Sequence, residues 1–131
     1  MKTLEELAAK ANEEYIEPTL KDVWPSLLTE LRKTVSTKNW DGYGAYAVSD
    51  QVFQNADIFV DLLIKENVEL LDIIPNSAGT LGFAFMNDSY VEIGKIRYGG
   101  YIQYDEHRLI LDGKMDTFDN LIKKLKELSN E

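Results

Sequence analysis

Apolar positions recur along this chain with two different periods. From Leu4 to Leu63 they fall mostly three and four residues apart, and from Leu70 to Leu111 mostly two apart. The longer period returns in the C-terminal segment from Phe118. Spacing of three and four draws a stripe down one side of a helix, whereas spacing of two builds one face of a strand. The pattern therefore predicts helices, then a run of strands, then a closing helix.

Thr3 stands three residues before Glu6, the spacing of a capping box, and Leu4, Leu7, Ala8, Ala11 and Tyr15 follow as a first helical stripe that Pro18 ends. A second helix carries Val23, Leu27, Leu28, Leu31 and Val35. With Asp22 as its N-cap, Pro25 falls in the first turn, where a missing N–H breaks no helical bond. Leu20 and Trp24 fit the same stripe, which leaves open a helix beginning near Thr19. After a polar loop, Ser49 caps a third helix, with Val48 and Phe53 placed as a hydrophobic staple. Its buried face reads Val52, Phe53, Ala56, Phe59, Val60 and Leu63.

The alternating region divides into Leu70–Ile74, stopped by Pro75, then Leu81–Phe85, then Tyr90–Ile96 after an Asn87-Asp88 turn. Gly99-Gly100 is expected to break the chain before Tyr101–Tyr104. Asp105-Glu106 then leads into Arg108–Leu111, and Asp112-Gly113 is expected to close the strands. A last helix begins near Asp116 or Thr117 and presents Phe118, Leu121, Ile122, Leu125 and Leu128. Strands grouped in one run with helices outside it indicate a single α+β domain over 1–131: an antiparallel meander of four or five strands with helices on one face. The expected element order is three helices, the strands and a final helix.

Charge changes this picture more than composition does. The 131 residues are 44% hydrophobic and 28% charged, ordinary for a globule, and contain no cysteine, which excludes disulfides and thiolate chemistry. The net charge is −9, which argues against phosphate backbones and anionic membranes as partners. No apolar run reaches the roughly 20 residues of a membrane span, and no signal-peptide pattern opens the chain, so a cytoplasmic location is expected. Residues 1–40 hold seven acids and six bases, and residues 95–131 hold seven of each. Residues 41–94 hold nine acids and a single base, Lys65. Within that segment Asp50, Gln54, Asp57 and Asp61 lie on one stripe of the third helix. The stripe is a solvated face, an acidic ridge that steers a basic protein surface, or, with ligands from other segments, a carboxylate metal site.

Motifs with chemistry are few. Gly42-Tyr43-Gly44-Ala45-Tyr46-Ala47 matches the dinucleotide fingerprint in letters only, because no strand precedes it and no helix opens within it. The surrounding Asn39–Ala45 string has two readings. Trp40 can anchor the loop in the core and Asp41 can bond its own backbone, with the glycines at positive φ. Alternatively Trp40, Asp41 and Tyr43 are displayed to a partner. His107, the one histidine, falls in a turn, and no nucleophile motif accompanies it. No catalytic residue, cofactor or metal ligand is assigned. Tyr90, Tyr98, Tyr101 and Tyr104, with Lys95, Arg97 and Arg108 nearby, leave base stacking on a sheet face as an alternative; a small-molecule sensor or hydrolase is another.

The strings NWDGYGA, VSDQVFQNADIFVDLL and IIPNSAGTLGFAFMNDSYVEIG, spanning about residues 39–104, resemble a group of small uncharacterised bacterial, phage and plasmid proteins. In that group a WDG-x-GA loop precedes a helix and a proline-bearing strand. The resemblance implies shared architecture and no transferable activity. This chain departs from the group at Ala78, where an acidic residue usually precedes the turn glycine. The expectation is a non-enzymatic interaction protein of the antitoxin, immunity or mobile-element inhibitor kind. It would bind a basic protein through the acidic 41–94 surface, with Trp40, Asp41, Tyr43, Asp50, Asp57 and Asp61 as contact residues. A homodimer is left open.

Overall fold

The computed structural model describes residues 20–114 and 118–129. Over these residues the chain runs α1 (Leu20–Val35), α2 (Asp50–Lys65), five strands and α3 (Phe118–Ser129). The strands are β1 (Leu70–Pro75), β2 (Leu81–Phe85), β3 (Tyr90–Ile93), β4 (Arg97–Tyr104) and β5 (His107–Lys114). The stripe from Leu4 to Tyr15, its Thr3–Glu6 cap and Pro18 lie outside the described residues, as do the helix start at Asp116 or Thr117 and the side chains of Phe118 and Leu128.

The five strands pair antiparallel in simple sequence order, β1-β2-β3-β4-β5. Hairpins produce this order because each short turn folds a strand back onto its predecessor. One face carries Ile73, Leu81, Phe83, Val91, Ile93, Ile102 and Leu111, all buried together with the apolar stripes of the helices. The α+β reading with helices on one sheet face holds. Helix α1 packs on α2 and β1, α2 reaches β3, and α3 lies against β4 and α2. Phe59 of α2 is the hinge of this packing. Its ring meets Phe83 edge-on at 5.0 Å and Phe85 at 6.4 Å, and burying a ring of this size contributes about 1.5–3 kcal/mol.

Ser49 caps α2 as expected, its Oγ accepting from the Val52 N–H at 3.4 Å, and Val48 and Phe53 are both buried beside it. In α1 the cap assignment to Asp22 is overturned. The helix is already formed at Leu20, so Pro25 sits in its interior and leaves the Lys21 carbonyl without its helical donor. The amphipathic stripe through Leu28 and Val35, sealed against α2, outweighs that loss.

Three strand boundaries also differ from expectation. Strand β3 stops at Ile93, because the Gly94 N–H donates to the Arg97 carbonyl at 2.9 Å and turns the chain there rather than after Ile96. Gly99-Gly100 does not break the chain but lies inside β4. Gly100 takes φ +125° where any Cβ would run into the Tyr90 carbonyl oxygen, so glycine lets β3 and β4 approach. Likewise Asp112-Gly113 does not close β5. A Cβ on Gly113 would occupy the space of the Tyr98 ring packed across it. Both glycine sites serve tyrosines on a neighbouring strand.

Candidate functional site

The WDG loop is built from its own side chains. The Asp41 Oδ1 accepts from the Tyr43 N–H at 2.8 Å and the Ala45 N–H at 3.1 Å, while the Asn39 Oδ1 accepts from the Gly44 N–H at 2.6 Å. Gly42 and Gly44 take φ +78° and +86°. The Trp40 ring packs against the core, and its indole N–H donates to the Tyr46 carbonyl at 2.9 Å. The Tyr46 N–H in turn donates to the Ser77 carbonyl at 2.8 Å, tying the loop to the β1–β2 turn. Trp40 and Asp41 thus have structural work to do. Tyr43, 93% exposed, is the side chain the loop displays.

Asp50, Asp57 and Asp61 are all exposed on the outer side of α2, and the residue organising them is Arg32 of α1. Its guanidinium lies 3.3 Å from the Asp50 Oδ1 and 3.7 Å from the Asp57 Oδ2, and rests over the Phe53 ring at 5.1 Å. The Arg32 Nε is enclosed and finds no hydrogen-bond partner among the described residues, and the Phe53 ring adds a cation–π contact to the two ion pairs. Beside this cluster, Pro25, Leu28, Thr29, Arg32, Asp57, Val60 and Asp61 line a groove between α1 and α2 of about 340 Å³. The Asp57 carboxyl titrates above the ordinary value of 3.8. Partial burial raises it most, Arg32 pulls it down, and Asp61 and Asp50 push it up again. One cation against three carboxylates leaves the cluster with a surplus of negative charge.

Glu66, Asp72, Asp88 and Glu92 do not extend this surface. Glu66 bonds Lys126 of α3 at 2.9 Å, which holds its carboxyl below the usual range. Asp72 and Glu92 project from the helix-free sheet face, and Asp88 sits at φ +66° in the β2–β3 turn. The expected single acidic flank is therefore a smaller patch on α1 and α2, because hairpin turns send successive acids to different sides.

The tyrosine cluster also divides. Tyr98 is buried and Tyr104 packs on the core margin, since alternation points both toward the helices. Tyr90 and Tyr101 share the helix-free face with ring centroids 6.3 Å apart, and the Arg108 guanidinium lies 4.1 Å above Tyr101. The Tyr90 ring lies over Gly82, where a Cβ would collide with it. Its hydroxyl accepts from the Asn76 amide at 3.0 Å, and desolvation raises its pKa.

Sequence reasoning missed two side chains. Arg32 gives no signal because its partners lie on another helix. Asn55 is 6% exposed in the buried face of α2, where its amide donates to the Gly94 and Lys95 carbonyls at 2.9 and 2.8 Å and its Oδ1 accepts from Gln51 at 3.0 Å. An amide on the apolar stripe, three residues after Val52 and four before Phe59, was the available clue. His107 is exposed at the start of β5, 5.8 Å from the Tyr104 ring. Among the described residues no group of three or more His, Asp or Glu is arranged to hold a metal ion, and no helix is long and apolar enough to cross a membrane. No family model matches the chain, and no curated protein or solved structure shows significant similarity to it.

Proposed function

We propose that this chain is a non-enzymatic interaction module that docks a basic protein segment on its α1–α2 side. The observation that carries this reading is the surplus of carboxylate around Arg32. Asp57 is held partly desolvated between two like charges, a state that an incoming lysine or arginine relieves. The adjoining groove, floored by the buried Leu28 and Val60, offers the half-buried Pro25 ring to the stem of such a side chain. Tyr43 supplies an exposed aromatic anchor on the loop that leads toward α2.

Occlusion of the partner's own site, with charge complementarity setting the approach, is the mechanism. An antitoxin, an immunity protein or an inhibitor encoded on a mobile element acts in this way and matches the acidity of the chain. The test is affinity capture from host extract at low and high salt with three baits: the parent, Asp57→Lys with Asp61→Lys, and Asp88→Lys as a remote control. A basic protein retained by the parent and the control, shed at high salt and lost with the double variant, supports the reading. Equal retention by all three baits, or no partner at any salt, overturns it.

A further inference from the structure

The last strand carries an inference independent of the α1–α2 groove. Strand β5 ends the sheet, and among the described residues no strand pairs with its outer edge. The other end of the sheet is blunted. Strand β1 has a register shift between Leu70 and Asp72, finishes at Pro75 and lies under α1, all devices that discourage edge pairing. Strand β5 is eight residues long without proline, and Ile110 at its middle is 70% exposed.

Backbone alternation fixes which residues face outward. The Gly94–Arg97 hydrogen bond turns the backbone of Arg97 toward β3, so Tyr98 faces β5 and its partner Gly113 faces β4. Arg108, Ile110 and Asp112 therefore aim their amide and carbonyl groups at the outer edge. We propose that this edge pairs antiparallel with β5 of a second copy of the chain about a two-fold axis at Ile110, making one sheet continuous through both copies.

The charges select that register. Centred on Ile110, the two-fold sets Arg108 opposite Asp112 of the second copy, twice, with the two Ile110 side chains meeting on the axis. Centring on Arg108 or Asp112 stacks identical charges on the axis. Centring on Leu109 opposes Glu106 to Asp112, and centring on Leu111 opposes Arg108 to Lys114. Like charges directly opposite are unfavourable and unlike ones favourable, so among the symmetric registers that overlap most of β5 the one centred on Ile110 is free of conflict. Residues 95–131 hold seven acids and seven bases, so the edge meets its copy without the repulsion of the acidic segment. Edge pairing buries little area, which makes the dimer a weak one that forms at micromolar concentration or above.

The test uses the full chain. Sedimentation over a concentration series reads the monomer–dimer equilibrium, with circular dichroism checking the fold of each variant. Arg108→Asp raises the dissociation constant by about tenfold or more, and Arg108→Asp combined with Asp112→Arg and Arg97→Asp, which keeps the 97–112 ion pair within each copy, restores it. In this cysteine-free chain Ile110→Cys gives a disulfide dimer under mild oxidant, since Cα atoms of a hydrogen-bonded pair lie about 5.5 Å apart. Arg108→Cys and Asp112→Cys each stay unlinked alone and link when mixed. A parent that is monomeric at the highest concentration, an unlinked Ile110→Cys, or dimerisation indifferent to Arg108→Asp overturns the proposal. If Arg108→Asp fails to fold, the cysteine results decide.

Discussion

Replacing Asn55 by alanine removes a buried polar tie between α2 and the β3–β4 turn. Two carbonyl oxygens, those of Gly94 and Lys95, lose donors at 2.9 and 2.8 Å, while the exposed Gln51 amide returns to water. A buried acceptor left unsatisfied costs about 1–3 kcal/mol, and the Lys95 carbonyl, at an exposed turn, belongs at the low end. The expected loss for Asn55→Ala is therefore about 2–4 kcal/mol. Asn55→Asp costs more at neutral pH, because it buries a carboxylate facing two carbonyl oxygens. The folded-state pKa of that new carboxyl is raised, so its penalty grows as pH climbs from the unfolded value and recedes on acidification. Urea unfolding at constant m-value measures the loss, and amide exchange at Gly94, whose N–H bonds Arg97, locates it. An Asn55→Ala variant within about 0.5 kcal/mol of the parent refutes the reasoning, since water would then satisfy the turn as well as Asn55 does.

Three further outcomes are expected. Trp40→Ala destabilises by about 2–3 kcal/mol in urea titration, below the cost of a fully buried tryptophan because the ring is only partly enclosed; an effect no larger than that of Tyr43→Ala contradicts its anchoring role. Gly100→Ala, with its Cβ directed at the Tyr90 carbonyl oxygen, loses about 3 kcal/mol or more, and a cooperative transition unchanged in midpoint contradicts the close β3–β4 approach. Asp57 has a raised pKa, so its ionisation disfavours the fold as pH rises from 3.8 through the folded value. Asp57→Asn accordingly gains stability relative to the parent on going from acid to neutral pH in parallel urea titrations; a relative loss over that range means that the Arg32 pair outweighs desolvation.

Local signals carried the element types. Ser49 before an apolar stripe reads as a cap, and the alternation of large apolar and small residues from Leu81 to Phe85 reads as a strand. The misplaced boundaries share a cause. Gly99-Gly100 and Asp112-Gly113 read as turns because Gly-Gly and Asp-Gly pairs usually supply them, but here the missing Cβ atoms of Gly100 and Gly113 make room for the Tyr90 backbone and the Tyr98 ring. That packing depends on strand register, which no local window contains. The candidate site was half legible for the same reason. Asp50, Asp57 and Asp61 follow from helical spacing, whereas Arg32 joins them only once α1 and α2 pack. The segment count of charge, blind to hairpin reversals, overstated how many acids face one way.

The most direct measurement is an amide chemical-shift map of the isotopically labelled chain titrated with its captured basic partner. Shifts confined to Thr29, Arg32, Asp57, Val60, Asp61 and the Tyr43 loop are expected, and they should shrink with added salt. Shifts centred instead on Tyr90, Tyr101 and Arg108, with α1 and α2 silent, contradict docking on the acidic helices.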